Sequence, residues 1–384
     1  MQRKIYPVWS VRLLSVASIF VNIACSCIID NSRVPLTLST PCQVIARSMD
    51  VMSQVDWSPD GKRVVFITQS TLDKQEKQIS IVNADGTGYK TLTNYKSDKS
   101  VYKGQVIDLL IFTPYKPIWL SDNLRIIFRL VETRSAEPGI SYKDQYIVIN
   151  TASLISDVVL TSGYSMFTIG AATDFDLRSI FSISPDDQIL AFSKFGKLKF
   201  VSLNNQSLNN VVLLPFTYEG NASSFSWSPD SHYVLITDGE LQLVDVRASF
   251  KVTHLPLPAV SKGVWLHDSS KFAYLNNGIY IANFSGDNAK QIISRESKTY
   301  VNENNNIGWL DNGTKIGFVS QRNQDTELYS VGVQDQLEQQ ITYNNTTDEP
   351  LNPVWSQDGE HVLFSFSGTL QVANANISCD IVNI

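Results

Sequence analysis

Four histidines, four cysteines and a scatter of carboxylates are the side chains in this sequence with the means to do chemistry. His232, His254, His267 and His361 form no His-Glu-x-x-His pair, and no Cys/His set has zinc spacing. There is no Gly-x-Ser-x-Gly elbow for a nucleophilic serine, no P-loop and no G-x-G-x-x-G. "NADGTG" (Asn83–Gly88) is glycine-rich but lies between two strand-like runs, so it reads as a hairpin turn. Asp174 and Asp176 in "ATDFDLRS" could hold a hard cation or act as an acid/base pair, a weak signal in a loop. "NENNNIG" (Asn302–Gly308) lacks the charge of a calcium loop. We expect no metal, no cofactor and no catalytic residue from these patterns.

The other acids belong to a repeat. "VDWSPDGKRVVF" (Val55–Phe66) returns as "FSISPDDQILAF" (Phe181–Phe192), "FSWSPDSHYVLI" (Phe225–Ile236) and "PVWSQDGEHVLF" (Pro353–Phe364). Weaker copies are "PIWLSDNLRIIF" at Pro117, "GVWLHDSSKFAY" at Gly263 and "IGWLDNGTKIGF" at Ile307. The anchor position reads Trp57, Trp119, Ile183, Trp227, Trp265, Trp309 and Trp355, and an Asp or Asn follows three residues later every time. Pro59 presets the second position of a tight turn, Asp60 suits the third, and Gly61 takes the left-handed position that closes a bulged hairpin. Asp60, Asp186, Asp230 and Asp358 are therefore turn residues, and His232, His267 and His361 read as solvated neighbours of the same turns.

Successive anchors stand 38 to 64 residues apart, the period of a propeller blade with two insertions. After the first hairpin, "KQISIVNADGTGYKTLTN" (Lys77–Asn94) supplies two more strands, and "GELQLVDVRASFKVTHL" and "DTELYSVGVQDQLEQQIT" repeat that pattern. A lone four-stranded sheet leaves apolar faces uncovered, so the blades must stack around an axis. The expected fold is all-β: a seven-bladed β-propeller of four-stranded antiparallel blades, with the anchor tryptophans where neighbours press together. These hairpins resemble the WD40-like (PD40) repeat of TolB-type β-propellers, a family of exported bacterial proteins whose propeller also accompanies peptidase domains. The resemblance covers roughly residues 50 to 375. It implies an exported scaffold, with too few residues ahead of Trp57 for the separate amino-terminal domain of TolB and seven units where TolB has six.

Composition fits an ordinary folded β protein, 43% hydrophobic and 18% charged. A net charge of −6 argues against nucleic acid as the partner. Arg3, Lys4 and Arg12 precede "LLSVASIFVNIACSC", the layout of a secretory leader too short to span a bilayer comfortably. "IACSC" resembles a relaxed lipobox with Cys27 as the lipidated residue; plain leader cleavage is the other reading. We divide the chain into a leader (1–27), a lead-in segment (28–50) and the propeller (51–384), placing the protein in the periplasm or on the outer envelope surface. Cys42 and Cys379 then remain, at opposite ends of a ring whose ends must meet; they are either a disulfide or two buried thiols.

Three long insertions, 94–116, 132–143 and 161–178, read as loops on one propeller face. They carry Tyr95, Lys96, Lys99, Tyr102, Lys103, Tyr115, Lys116, Arg134, Tyr142 and Tyr164. Aromatic and cationic side chains on one rim suit an envelope or extracellular protein, or a glycan. The competing reading is a polysaccharide lyase or hydrolase using carboxylates and tyrosines on that face. Membrane contact is expected only through a lipid anchor.

Overall fold

Each repeat closes on its own turn. In the computed structural model, Ser58 N–H donates to Arg63 O and Gly61 N–H to Ser58 O, both at 2.8 Å. Ser58 Oγ donates to Asp60 Oδ1 at 2.6 Å and accepts Arg63 N–H at 2.9 Å, while Asp60 Oδ1 also accepts Lys62 N–H. The same set recurs around Ser184/Asp186, Ser228/Asp230 and Ser356/Asp358. The repeated aspartates are thus spent on the turn, as the sequence suggests.

The structure describes residues 41–47, 54–69, 76–102, 105–136, 139–161, 165–168, 180–194, 197–203, 212–220, 222–257, 262–294, 300–301, 306–322, 325–344 and 351–382. These strands form seven antiparallel blades, bearing out the expected propeller. Blade one comprises Val55–Trp57, Arg63–Gln69, Lys77–Asn83 and Lys90–Thr91; blade four comprises Ser224–Trp227, Tyr233–Thr237, Leu241–Asp245 and Lys251–His254. Inner strands touch inner strands, including Leu351–Trp355 of blade seven against Val55–Trp57 of blade one, so the ring is closed. Seven apolar clusters lie one at each seam between neighbouring blades.

The anchors knit those seams. The indole N–H of Trp57 donates to Val354 O at 3.0 Å, Trp265 to Ser226 O at 3.2 Å, Trp309 to Val264 O at 3.1 Å and Trp355 to Asn306 O at 3.3 Å. Each reaches back one blade. Trp119 and Trp227 find no such acceptor among the described residues; Arg63 stacks 4.6 Å over the Trp119 ring, and Phe200 meets Trp227 edge-on.

The position after the turn Asp or Asn is left-handed in every blade: Gly61, Asn123, Asp187, Ser231, Ser269, Gly313 and Gly359 all have φ between +58° and +84°. Where this residue is not glycine, its oxygen bonds the turn of the blade before. Asn123 Oδ1 accepts Asp60 N–H at 2.9 Å, Asp187 accepts Ser121 N–H, and Ser231 and Ser269 accept Asp186 and Asp230 N–H at 3.1 Å. The short polar side chain that tolerates this backbone also links the turns.

Blade seven corrects one expectation. Its outer strand does not come from the stretch read as propeller: it is Cys42–Arg47, from the segment read as lead-in, which pairs antiparallel with Thr369–Asn374. Three strands of this blade follow residue 350, and the fourth comes from the other end of the chain. Cys379–Asp380 instead runs parallel to Thr342–Tyr343 at the edge of blade six. Cys42 and Cys379 are disulfide-bonded, with Cα atoms 5.6 Å apart across 337 residues of sequence. His361 also departs from its expected place: it is 2% exposed, begins the second strand of blade seven and lies 6.3 Å from the Trp57 ring. The strand starts one residue after the turn, which carries its side chain inward.

Beside the disulfide, Glu327 is 2% exposed and accepts from Thr342 Oγ1 and Asn344 N–H, both at 2.6 Å. Thr342 is the register partner of Cys379. Burial outweighs the two donors and pushes the Glu327 carboxyl up to about 7. An acid whose pKa is higher in the folded state holds a proton there that the unfolded chain has released. Its contribution to stability therefore falls as pH rises from about 4.5 to about 7.

Two outcomes follow. Trp227→Ala should destabilise by about 3–5 kcal/mol, while Lys62→Ala on the exposed turn changes stability by less than about 0.5 kcal/mol; equal melting shifts would contradict the seam role of the anchor. Glu327→Gln should flatten the decline in stability between pH 5 and about 7.5, measured by urea titration at each pH. An unchanged slope would show that Glu327 does not titrate there.

Candidate functional site

Three places on the ring gather polar chemistry. The first is the entry of the inner strands, three residues before each anchor: Gln54, Lys116, Ile180, Ser224, Lys262, Asn306 and Asn352. Here side chains reach forward one blade. Gln54 Oε1 accepts Lys116 N–H at 2.7 Å, and Lys116 Nζ donates to Phe181 O at 2.6 Å. Lys262 Nζ donates to Asn306 Oδ1 at 3.1 Å, and Asn306 Nδ2 donates to Pro353 O at 3.4 Å. Asp56, two residues further along, accepts Trp119 N–H at 2.9 Å. Desolvation between the blades pushes the Asp56 carboxyl up to about 7, against the pull of that N–H and of the Lys116 charge. It lowers Lys116 to about 8, opposed by Asp56. By surface area Asp56 is half-buried and Lys116 exposed, so water reaches both and tempers these shifts.

The second is the extension of blade two. What reads as loops in sequence is largely strand. Gln105–Trp119 and Arg125–Ala136 are 15 and 12 residues long, Gly139–Asn150 continues them, and Asp98–Tyr102 and Ser165–Thr168 add a strand at each edge. A bulge between Tyr115 and Ile118, with Lys116 at φ 46°, marks where the blade proper passes into this extension. Alternation divides the expected binding residues between its two faces. Tyr115 pairs with Arg129 and Arg129 with Tyr146; Tyr142, paired with Thr133, shares their face. Arg134, between Leu110 and Ser141, points the other way, as do Glu132 and Lys143. Arg129 is 2% exposed, bonded through Nε and a terminal nitrogen to Asp144 at 2.9 and 2.8 Å, and lies 5.7 Å from the Tyr115 ring.

Tyr95 is a packing residue: it stacks on Phe112 at 5.8 Å and meets Phe128 edge-on, and burial pushes its hydroxyl up to about 12. Lys96 pairs with Glu76 at 3.2 Å. Of Lys99 and Tyr102 the backbone alone is described; Lys103, Tyr164, Cys27, Asp174 and Asp176 lie outside the described residues. The expected single rim is thus not assembled from Tyr95, Lys96, Tyr115, Lys116, Arg134 and Tyr142, which lie at three different places. The entry ring of amides and lysines escaped sequence reasoning, although aligning the repeats shows six polar residues among its seven positions.

The third place is a groove of about 540 Å³ beside blade one, bounded by Ala46 of the amino-terminal strand and by Thr68, Glu76, Tyr89, Thr91 and Lys96. One cluster among the described residues brings ligand-type atoms within 4.8 Å of one another, Asp358, Glu360 and His361. Asp358 Oδ1 already serves its turn, accepting from Ser356 Oγ and Glu360 N–H.

No protein-family model matches the sequence, and no curated protein matches it. Solved structures share the fold. An oligogalacturonate lyase from Vibrio parahaemolyticus superposes with a TM-score of 0.56 at 12% identity, over 87% of this chain and 93% of that one. A chain of the mitotic checkpoint complex gives 0.54 at 13%, over 89% and 94%. TolB from Acinetobacter baumannii gives 0.42 at 12%, over 72% of this chain and 63% of its own. At such identities the likeness is one of architecture alone, carried by the lyase and the checkpoint-complex chain, whose TM-scores exceed 0.5.

Proposed function

We propose that this protein is an exported, lipid-anchored binding scaffold of the bacterial cell envelope, engaging a protein or glycan partner through the extension of blade two. The supporting observation is that blade two alone carries strands of 12 to 15 residues, where the other blades have strands of two to eight. Closing the ring does not draw on this extra length, because the blade's seam clusters are built mainly from the blade proper, from residues such as Trp119, Ile126 and Ile149. Strand extensions hold side chains more rigidly than loops, which suits a recognition surface.

Binding is favoured over catalysis on this surface because an acid on each of its two faces is already paired. Asp144 is bonded to Arg129, and Glu132 lies 3.9 Å from Lys143. Export and the lipid at Cys27 rest on the leader: basic residues, an apolar run and a relaxed lipobox.

Glu132 and Lys143 are register partners, so the hairpin can be cut there cleanly. Replacing residues 133–142 by Asn-Gly should leave the melting temperature within a few degrees and abolish capture of the partner from native envelope; full capture by the trimmed protein would move the site elsewhere. In a bacterial host, labelled fatty acid should be incorporated and lost in Cys27→Ala. Label surviving in Cys27→Ala would refute that residue as the anchor.

A further inference from the structure

We infer that the groove between blade one and the amino-terminal strand is a binding site for an uncharged sugar unit. This adds a second surface and a ligand class to the envelope-scaffold reading. It rests on that reading only for where the sugar is met.

The groove's volume, about 540 Å³, lies in the range of small-molecule sites, about 300–1,000 Å³. Beneath it runs a ladder of hydroxyls crossing three strands of blade one, of which Thr68, Tyr89 and Thr91 line the groove and Ser80 is buried. Thr68 Oγ1 lies 3.1 Å from Ser80 Oγ, Ser80 Oγ donates to Thr91 Oγ1 at 3.3 Å, and Tyr89 Oη lies 3.4 Å from both Ser80 and Thr91. Each hydroxyl has one proton and two lone pairs and rotates freely, so such a ladder can present donors or acceptors as a polyol requires.

One wall is fixed in advance. The Gln78 side chain accepts from Thr93 Oγ1 at 3.0 Å and Tyr95 N–H at 2.8 Å, and donates to Tyr95 O at 2.6 Å. Thr93 Oγ1 in turn accepts Ile79 N–H. A wall built this way loses little freedom when a ligand arrives. Across the seam, Gln43 Nε2 donates to Asp85 O at 2.6 Å. That bond ties the amino-terminal strand to blade one and sets the width of the groove.

Tyr89 is 56% exposed, with its phenol on the ladder. An aromatic face beside clustered hydroxyls matches a pyranose, whose C–H face packs on a ring while its hydroxyls bond alongside. Charge selects among sugars. The groove's carboxylate and ammonium, Glu76 and Lys96, pair with each other at 3.2 Å. Among the described lining residues that leaves no net charge to attract a uronate, a phosphate or an amino sugar. A lining of hydroxyls and amides also disfavours apolar ligands.

The test is calorimetric titration of the folded propeller with neutral di- and trisaccharides of glucose, galactose and N-acetylglucosamine, beside galacturonate and glucosamine oligomers. At least one neutral sugar should bind with a dissociation constant tighter than about 1 mM. Tyr89→Ala should weaken it at least about tenfold and Thr91→Val severalfold, while Tyr89→Phe keeps most of the affinity; melting curves confirm that each variant is folded. The protein trimmed at residues 133–142 should bind the same sugar unchanged, so the two surfaces can fail separately. The site is overturned if no neutral sugar binds, if the charged sugars bind better, if an extended peptide of envelope sequence displaces the sugar and binds more tightly, or if a folded Tyr89→Ala binds as the parent does.

Discussion

Everything in this molecule depends on covering the two faces of each blade, and the seam between the last blade and the first is where that condition is hardest to meet. At every other seam the chain passes directly from one blade into the next. Between blades seven and one the two sides are far apart in sequence, and their contact repays a long loop closure. The protein meets this by placing Cys42–Arg47 on the edge of blade seven. The resulting seam cluster contains Ile45, Trp57, Phe66, Leu363 and Val372, residues from both ends of the chain. The disulfide to Cys379 then ties the same strand to the edge of blade six. In a chain-entropy account such a cross-link contributes about 5 kcal/mol.

Around the rest of the ring the inner strand is sewn at up to three heights. Blade five shows all of them: Lys262, three residues before the anchor, reaches forward to Asn306, the Trp265 indole reaches back to Ser226 O, and Ser269 after the turn reaches back to Asp230 N–H. One repeat of a dozen residues encodes all three. The turn illustrates how. A conformation that excludes most side chains is met by glycine in blades one, six and seven, and by Asn, Asp or Ser in the others. Only the second group has an oxygen to bond the neighbouring turn.

This explains what could be read from the sequence. Trp57, Asp60 and their copies recur with fixed local spacing, so the blade count, the turns and the role of the aspartates were legible. Local patterns do not say which distant edge a strand will join. "CQVIAR" has the alternation of a strand, but nothing near it marks the edge of blade seven as its partner. The extension of blade two was obscured for another reason. "QVIDLLIFTPYKPIW" contains Pro114 and Pro117, which ordinarily end strands; the bulge takes up Pro117, while Pro114 stays in register with Leu130. The groove beside Tyr89 was invisible because its hydroxyls, on residues 68, 80, 89 and 91, are set side by side only by the pairing of three strands, with Ala46 of the amino-terminal strand closing one side.

One side of the groove beside Tyr89 depends on that closure too, since Ala46 of the docked amino-terminal strand bounds it. The most direct measurement is peptide mapping of protein purified from the envelope, alkylated before digestion and never reduced. A covalently joined pair of peptides carrying Cys42 and Cys379, separating on reduction, is the expected result. Both cysteines recovered singly as alkylated thiols would contradict this account of how the propeller is closed.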